Sequence, residues 1–329
     1  YADNYDGLST KPNASATNSV ALGKSAVSGG GSSIAFGALA SSAGNLSSAI
    51  GFNAAVGSSG ANAAAIGQAY ANGQDAFAAA ISTNSSSYGA TGANSVAIGY
   101  QAKASSNYDT AIGYNAIASG YGSLAIGTAG SSGSGPTASG PGTIAIGNDI
   151  QATTHYCFGI GTDINVSHQF AYAIGDKLVS RSKGQFVYGT GRFAADGDAQ
   201  GSQYIIKCAT TDATPTTMVT DGGSSGAADN QIVAASDTCI TFHGTITAMQ
   251  NGAQAHAGWE IKGMLVNDGG TTTLALGNVS DMAATNASSW AVALSADNTN
   301  NALKIQVTGE ASHNIRWVAN VQTAEVTYA

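Results

Sequence analysis

Residues 95–104 read Ser-Val-Ala-Ile-Gly-Tyr-Gln-Ala-Lys-Ala, and similar units recur along the first half of the 329-residue chain. Self-similarity at a fixed period is the sequence signature of a repeat architecture. Aligned on the last residue of Ser-Val-Ala-Ile-Gly, the repeat anchors are Gly23, Gly37, Gly51, Gly67, Ala80, Gly99, Gly113, Gly127, Gly147, Gly161, Gly175 and Gly189. Seven of the eleven steps between anchors are 14 residues long, and the others (13, 16, 19 and 20) indicate loop insertions or a deletion.

Each repeat predicts two short strands. The residue before the anchor is Ile in eight of twelve units, and the residue two before it is Ala in ten of twelve. Alternation with period two, broken by glycine, is typical of a strand and not of a helix. Small residues also recur three and five places after the anchor, as at Ala102 and Ala104. The longest insertion, Ser131 to Gly142, contains Pro136 and Pro141 and is predicted to be a loop.

Two strands and two turns per 14 residues make one coil of a parallel β-roll, in which equivalent residues of successive coils stack about 4.8 Å apart. One coil cannot bury its apolar side alone, whereas a stack can. The recurring alanines leave a flat strip of methyl groups that suits the close approach of another chain. We therefore predict a narrow roll of about 12 coils that trimerises through small side chains. The alternative is a monomeric wide β-helix, which normally has longer coils and bulkier residues.

A change of composition predicts a second domain. All three Trp and all three Glu lie beyond residue 250. The predicted divisions are an N-terminal connector (1–16), the roll (17–196) and a C-terminal domain (197–329). In the last, alternating runs separated by turns such as Asp221-Gly222 predict an antiparallel β-sandwich. The runs are Tyr204–Cys208, Gln231–Ala234, Thr238–Ala248, Gly258–Val266, Thr272–Leu276, Trp290–Leu294, Leu303–Val307 and Ile315–Val326, with a core at Trp259, Ile261, Leu265, Ile315, Trp317, Ala319 and Val321.

Composition also argues against several functions. With 11 basic and 19 acidic residues the formal net charge is −8, which argues against a nucleic-acid partner. No apolar run approaches the roughly 18 residues of a membrane-spanning helix, and no signal peptide is visible, so we expect no membrane insertion. Cys157, Cys208 and Cys239 are too few and too scattered for a disulfide scaffold or a zinc motif. We predict no cofactor, no metal site and no catalytic residue.

The pattern of residues 95–104 resembles the head repeat of trimeric autotransporter adhesins of the YadA type, over roughly residues 17 to 190. The resemblance implies a left-handed parallel β-roll, a trimer and an adhesive role, and the same repeats occur in bacteriophage tail fibres. The second half resembles a C-terminal module of marine phage tail-fibre and virion proteins. The segments that carry this resemblance are Gly197-Asp-Ala-Gln200, Thr210-Thr-Asp-Ala-Thr-Pro215, Gly258-Trp-Glu-Ile-Lys-Gly263 and Ile315-Arg-Trp-Val318. No heptad stalk, which an autotransporter would carry, is visible.

Two ladders on the roll are candidate ligand contacts. Asp149, Asp163 and Lys177 each lie two residues after an anchor, and stacking would place the two carboxylates about 5 Å apart. That spacing suits a retaining glycosidase or a Ca²⁺ site. We favour a solvated turn in which Lys177 neutralises Asp163.

Tyr100 and Tyr114 stack one residue after the anchor, with Tyr108 and Tyr121 nearby. Such a ladder can bind sugar rings, but the favoured interpretation is stabilisation of adjacent strands. The five histidines show no metal-binding spacing, although a histidine on a three-fold axis would supply three ligands.

These observations predict a homotrimeric extracellular phage tail fibre that acts by adhesion and not by catalysis. Its expected partners are other virion or fibre proteins at the N-terminal end and a host-surface receptor, either a polysaccharide or an outer-membrane protein. The candidate contact loops are Asp221–Asn230, Asn251–Ala257, Asn267–Thr271, Asp281–Ser289 and Ala296–Asn301. The main alternative is a trimeric adhesin or filament subunit on a bacterial cell surface. A polysaccharide-cleaving tailspike and a purely structural virion decoration are further alternatives.

Overall fold

The computed structural model describes residues 11–80, 87–130, 133–223, 225–252 and 254–328. These residues form strands and turns and no helix. The chain divides into two compact units, Tyr1–Tyr156 and Cys157–Ala329. Residues 1–10 of the predicted connector, Ser131 and Ser132 of the predicted insertion, and residues 224 and 253 of two predicted loops lie outside the described residues.

The first unit consists of short strands that alternate between two walls of a roll. In chain order they are Asn13–Ala14 (β1), Val20–Leu22 (β2), Val27–Ser28 (β3), Ile34–Phe36 (β4), Ser41–Ser42 (β5), Ser48–Ile50 (β6), Ala55–Val56 (β7), Ala64–Gly67 (β8), Tyr70–Ala71 (β9), Phe77–Ala80 (β10), Gly89–Ala90 (β11), Val96–Ile98 (β12), Lys103–Ala104 (β13), Thr110–Gly113 (β14), Ile117–Ala118 (β15), Leu124–Thr128 (β16), Thr137–Ala138 (β17) and Ile144–Ala152 (β18).

Each strand pairs in parallel with the strand one coil further on, at the register that the repeat predicts. Val96 pairs with Thr110, and Gly113 pairs with Gly127. The irregular steps keep this register, since Ala80 pairs with Gly67 across the 13-residue step. The parallel pairings define a β-solenoid of about twelve turns, which confirms the predicted fold class.

The longest insertion is shorter than predicted. The strand Thr137–Ala138 lies inside the predicted loop 131–142 and pairs in parallel with Ile117–Ala118 and with Gln151–Ala152. The sequence Thr-Ala continues the second strand of the repeat, and Pro136 and Pro141 flank this strand without occupying it. The residues added to this coil therefore lie before Thr137.

The alanine strip lines the interior of the roll. Ala35, Ala97 and Ala111 are fully buried, whereas Ile34 and Phe36 on either side of Ala35 are 43% and 52% exposed. The prediction that small side chains form the contact between subunits is therefore wrong, because the alanine methyl groups lie inside the roll and cannot reach another chain. At this position of the coil the opposite walls lie so close together that methyl groups fill the space between them and the flanking larger side chains point outward, whereas Val56, Ile150, Ile164 and Leu178 are larger side chains that are buried elsewhere in the roll.

The second unit contains the last coils of the roll and the antiparallel domain. Its strands are Phe158–Val166 (β19), Tyr172–Asp176 (β20), Phe186–Gly189 (β21), Ala199–Thr210 (β22), Thr216–Thr217 (β23), Ile232–Val233 (β24), Thr238–Gln250 (β25), His256–Asp268 (β26), Thr271–Thr285 (β27), Ala291–Asp297 (β28), Ala302–Thr308 (β29) and Ile315–Thr327 (β30).

Pairing changes from parallel to antiparallel between β21 and β22. Strand β21 pairs in parallel with β20 and antiparallel with β22. The large sheet continues in the order β22, β30, β25, β26, β27, all antiparallel. In the small sheet, β29 pairs with β28 on one side and with β23 and β24 on the other.

The two sheets pack face to face around the core that the alternation predicts. Trp317 is fully buried, and its ring stacks on Trp259 with centroids 5.4 Å apart. The cluster includes Ile232, Ile305 and other side chains of the small sheet. All eight predicted runs lie within or overlap strands, and Thr216–Thr217 is an additional strand that the sequence pattern did not predict.

Candidate functional site

The anchor glycines hold the coils in contact. Gly113 has φ +125°, and a Cβ atom built on it would lie 1.7 Å from the carbonyl oxygen of Gly127. The anchor therefore combines a backbone conformation that L residues rarely adopt with close approach of the next coil. The predicted anchors Gly23, Gly37, Gly51, Gly67, Gly99, Gly113, Gly127, Gly147, Gly161, Gly175 and Gly189 all have positive φ. Their role is structural.

The outward side chains that flank the buried alanines form what we call the apolar strip. In the first coils its members are Val20, Leu22, Ile34, Phe36, Ile50 and Ile66, and each is between 42% and 53% exposed. A contiguous row of half-exposed aliphatic side chains is unusual on an isolated soluble domain and marks a contact surface. Sequence reasoning chose the wrong members of the unit because it assigned Ala and not Ile to the outside.

The tyrosine ladder forms as predicted. The rings of Tyr100 and Tyr114 are stacked, with centroids 5.0 Å apart and an interplanar angle of 8°. Tyr108 and Tyr121 make an edge contact with centroids 5.3 Å apart. All four rings are exposed, so the ladder combines strand-to-strand packing with an aromatic surface that a sugar ring could contact.

The acidic ladder is partly neutralised. Lys177 Nζ forms an ion pair with Asp163 Oδ2. Asp149 Oδ1 accepts a hydrogen bond from Gln151 Nε2 at 3.5 Å. All three ladder residues have left-handed backbone conformations, with φ of 51° at Asp149, 48° at Asp163 and 60° at Lys177. Lys177 is therefore placed to neutralise Asp163 as the sequence favours, but Asp149 and Asp163 lie within strands β18 and β19 and not in a turn, and the Lys177 and Asp163 side chains are only 22% and 25% exposed.

One carboxyl is buried inside the roll. Asp109 occupies the position four residues before its anchor, where other coils carry Ser33, Ser47 or Ser95. Burial raises the pKa of Asp109, opposed by hydrogen bonds that the carboxylate accepts from Ser123 and Ser106. The distance from the Ser106 backbone nitrogen to Asp109 Oδ2 is 2.7 Å. The group is a structural variation of the repeat, enclosed by the coil.

A second buried ionic group joins the last coil to the large sheet within the second unit. Arg181 Nη1 donates to Glu325 Oε2 at 3.0 Å, and its Nη2 donates to the carbonyl oxygen of Gly197 at 2.8 Å. Gln200 Nε2 also donates to Glu325 Oε2, at 2.9 Å. The Glu325 side chain is fully buried, so this network fixes the strand that follows the roll. The sequence pattern did not predict it because the partners lie far apart in the chain.

The predicted contact loops are shorter than expected. Strand β27 continues to Thr285, because its pairing with β26 resumes beyond a register shift at Gly258 and Trp259. The prediction of a loop from Asp281 to Ser289 is therefore wrong over its first part. The predicted loops 251–257, 267–271 and 296–301 also include residues of β26, β27 or β28 at their ends.

A depression of about 550 Å³ lies at the end of the large sheet, next to one of these loops. It is lined by Met249, Asn251, Asn314 and Arg316, among others. The backbone nitrogen of Asn251 donates to the carbonyl oxygen of Asn314 at 2.8 Å, which ties two turns together. This mixture of apolar, amide and cationic groups can contact a polar receptor, and the sequence analysis did not single it out.

No group of three or more His, Cys, Asp or Glu side chains suited to a metal ion occurs among the described residues. His243 instead pairs with Glu260, with 2.9 Å between Nε2 and Oε1. None of the described segments is a helix that could span a membrane.

The fold is a β-solenoid built from short coils, and the apolar strip lies on its outside. The family model of the YadA head domain repeat matches residues 14–40, 90–116 and 107–129. Residues 14–129 therefore contain YadA head domain repeats, as the sequence pattern predicts. Proteins with such domains are extracellular surface proteins. No curated protein matches the chain.

Proposed function

We propose that the chain is the distal part of a homotrimeric fibre, whose roll packs against two further copies and whose C-terminal sandwich binds a host-surface receptor. The observation that carries the proposal is the apolar strip. Its side chains alternate with fully buried alanines, so the interior of the roll is already filled, and a partner is needed to cover the outward aliphatic groups. A second and a third copy present the same strip at the same spacing, which makes them the matching partners.

A pair of substitutions in one coil tests this trimer. Ile50 lies on the strip and is 42% exposed, whereas Leu46 lies at a corner of the same coil and is 64% exposed. We expect Ile50→Asp to shift the mass measured by analytical ultracentrifugation from trimer towards monomer, and Leu46→Asp to leave it unchanged. A monomeric unmodified chain, or equal effects of the two variants, would contradict the proposal.

The proposed activity is adhesion and not catalysis. Three copies bind multivalently, so weak single contacts with a polysaccharide or an outer-membrane protein suffice. The N-terminal end would join other virion or fibre proteins. The YadA head domain repeats support an adhesive role. The choice of a virion over a cell surface rests on the sequence resemblance of the second half to a phage tail-fibre module, which stays a prediction.

Binding to cells and labelling of particles test the activity. A fluorescent preparation of the whole chain is offered to a panel of bacteria, untreated, protease-treated or stripped of surface polysaccharide. We expect saturable binding to some strains and its loss after one of the two treatments. Binding to no strain would overturn the adhesive role. Gold-labelled antibody on phage particles supports the tail fibre, and labelling of bacterial surfaces alone supports the adhesin alternative, which the YadA repeats favour.

A further inference from the structure

Among the described residues, no second sheet packs against one face of the large sheet. The opposite face packs against the small sheet through Trp259, Trp317 and their neighbours. The free face, which we call the outer face, exposes Thr241, Thr245 and Thr247 from β25 and Val318, Asn320 and Ala324 from β30. The second unit alone contains all of these residues.

The outer face continues the apolar strip of the last coils. Ladder partners point to the same side of a sheet. Ile174 pairs with Tyr188, and Tyr188 pairs with Gly201. A Cβ atom on Gly201 would lie 2.8 Å from the Tyr188 ring, so this ring covers the first strand of the large sheet.

The same row then crosses the centre of the sheet. Gly201 pairs with Ala324, and Ala324 pairs with Thr241. Ile174 and Tyr188 of the last coils therefore lie on the same side of the sheet as the exposed side chains of β30 and β25.

The chemistry of the outer face suits a protein partner. Its central strands carry Thr, Val, Asn, Gln and Ala, and their titratable side chains are Arg316 and Cys239 towards the two ends and His243, which is paired with Glu260. The flanking strands add Lys207 from β22 and the neighbouring pair Glu260 and Lys262 from β26. An array of small and β-branched side chains at the centre of the face packs well against another sheet.

We propose that the outer face packs against the outer faces of two further copies, around an axis that also passes beside the exposed Tyr172, Ile174 and Tyr188 of the last coils. This inference rests on the proposed function for the trimer, and it extends the subunit contact into a domain that the YadA head repeats do not cover. The small sheet then faces away from the axis. Its loops, 221–230 and the turn between β28 and β29, become the outermost surface for a receptor.

Distances between spin labels test the orientation. Single labels are placed at Ala324 on the outer face, at Ala293 on the exposed side of the small sheet, and at Thr110 on the roll strip, in a chain whose three native cysteines are replaced. Ala324 and Ala293 are matched, since both are exposed alanines within strands. We expect intersubunit distances at Ala324 to be shorter than those at Ala293, with a signal at Thr110 that reports the trimer.

Longer distances at Ala324 than at Ala293, with the Thr110 signal intact, overturn this inference and leave the trimer standing. Loss of the dipolar signal at all three positions overturns the trimer as well. As a second measurement, Ala324→Arg is expected to lower the temperature at which the trimer dissociates on native gels, and Ala293→Arg is expected to leave it unchanged. Equal dissociation temperatures for the two variants contradict the inference.

Discussion

The anchor glycine of one coil offers the sharpest test of how the roll is held together. In Gly113→Ala the new Cβ would lie 1.7 Å from the Gly127 carbonyl oxygen, far inside van der Waals contact. The backbone conformation costs about 1–3 kcal/mol for a residue with a side chain. The two coils must also separate where Ile112 and Gly113 pair with Ile126 and Gly127, which removes about two hydrogen bonds of about 1 kcal/mol each. The sum is about 3–5 kcal/mol.

Gly122 supplies the control for this variant. It also has positive φ, +66°, but a Cβ atom on it meets no atom within 4 Å. Gly122→Ala therefore costs only about 1 kcal/mol of left-handed strain. Thermal melts followed by far-UV circular dichroism should show a fall in Tm of about 10 °C for Gly113→Ala and a few degrees for Gly122→Ala. Hydrogen exchange should accelerate in peptides from the 110–128 region of the first variant. Equal melting temperatures would refute the argument that close approach of the coils, and not φ alone, requires glycine at the anchor.

Three further predictions concern buried polar groups and thiols. Asp109→Ser restores the residue that other coils carry. Because burial raises the pKa of Asp109, the wild-type folded state is destabilised once pH rises through the pKa of the unfolded state, so the variant should gain resistance to urea at pH 7 and little at pH 3. A gain that does not depend on pH would contradict this cause. Arg181→Met leaves the buried Glu325 carboxylate without its cationic partner and should lower the free energy of unfolding in urea by about 3–5 kcal/mol. Combining it with Glu325→Leu should recover most of this loss. Equal stability of the single and double variants would show that the ion pair is not responsible. Burial raises the pKa of the Cys208 thiol to about 12. At pH 8 a maleimide should therefore label the partly exposed Cys239 first, and should react with the buried Cys208 and Cys157 only on unfolding. Early labelling of Cys208, located by mass spectrometry, would contradict the packing.

Much of the roll could be predicted from sequence because each coil repeats the same local choices. The Ile–Gly steps place strands and turns in every unit, and the parallel register follows from the period, even across the irregular steps. The direction of the side chains could not be predicted in the same way. Period two separates Ala97 from Val96 and Ile98 but does not say which set points inward, and the usual expectation that larger apolar residues are buried fails when a coil is too narrow to hold them.

The candidate sites show the same division. Stacking of Tyr100 on Tyr114 and pairing of Lys177 with Asp163 were predictable, because equivalent positions one coil apart are neighbours in any solenoid. Three features could not be predicted: the Arg181–Glu325 pair, the depression beside Arg316 and the outer face of the large sheet. Each depends on contacts between residues far apart in the sequence, and an antiparallel domain without a repeat gives no period from which to infer them.

The narrowness of the coil also explains why assembly would matter to this fold. An interior lined mostly by alanines buries little apolar area per coil, and the strip side chains of the first coils remain about half exposed. Covering the exposed half of one Ile or Val contributes roughly 1 kcal/mol, given about 1.5–3 kcal/mol for burying the whole side chain. A coil with two such side chains, such as Val20 and Leu22, would gain roughly 2 kcal/mol, and a coil with one, such as Ile50 beside Ser48, would gain about half of that. In the proposed trimer this gain repeats along the stack, so the outward aliphatic side chains would draw much of the stability of the roll from neighbouring copies.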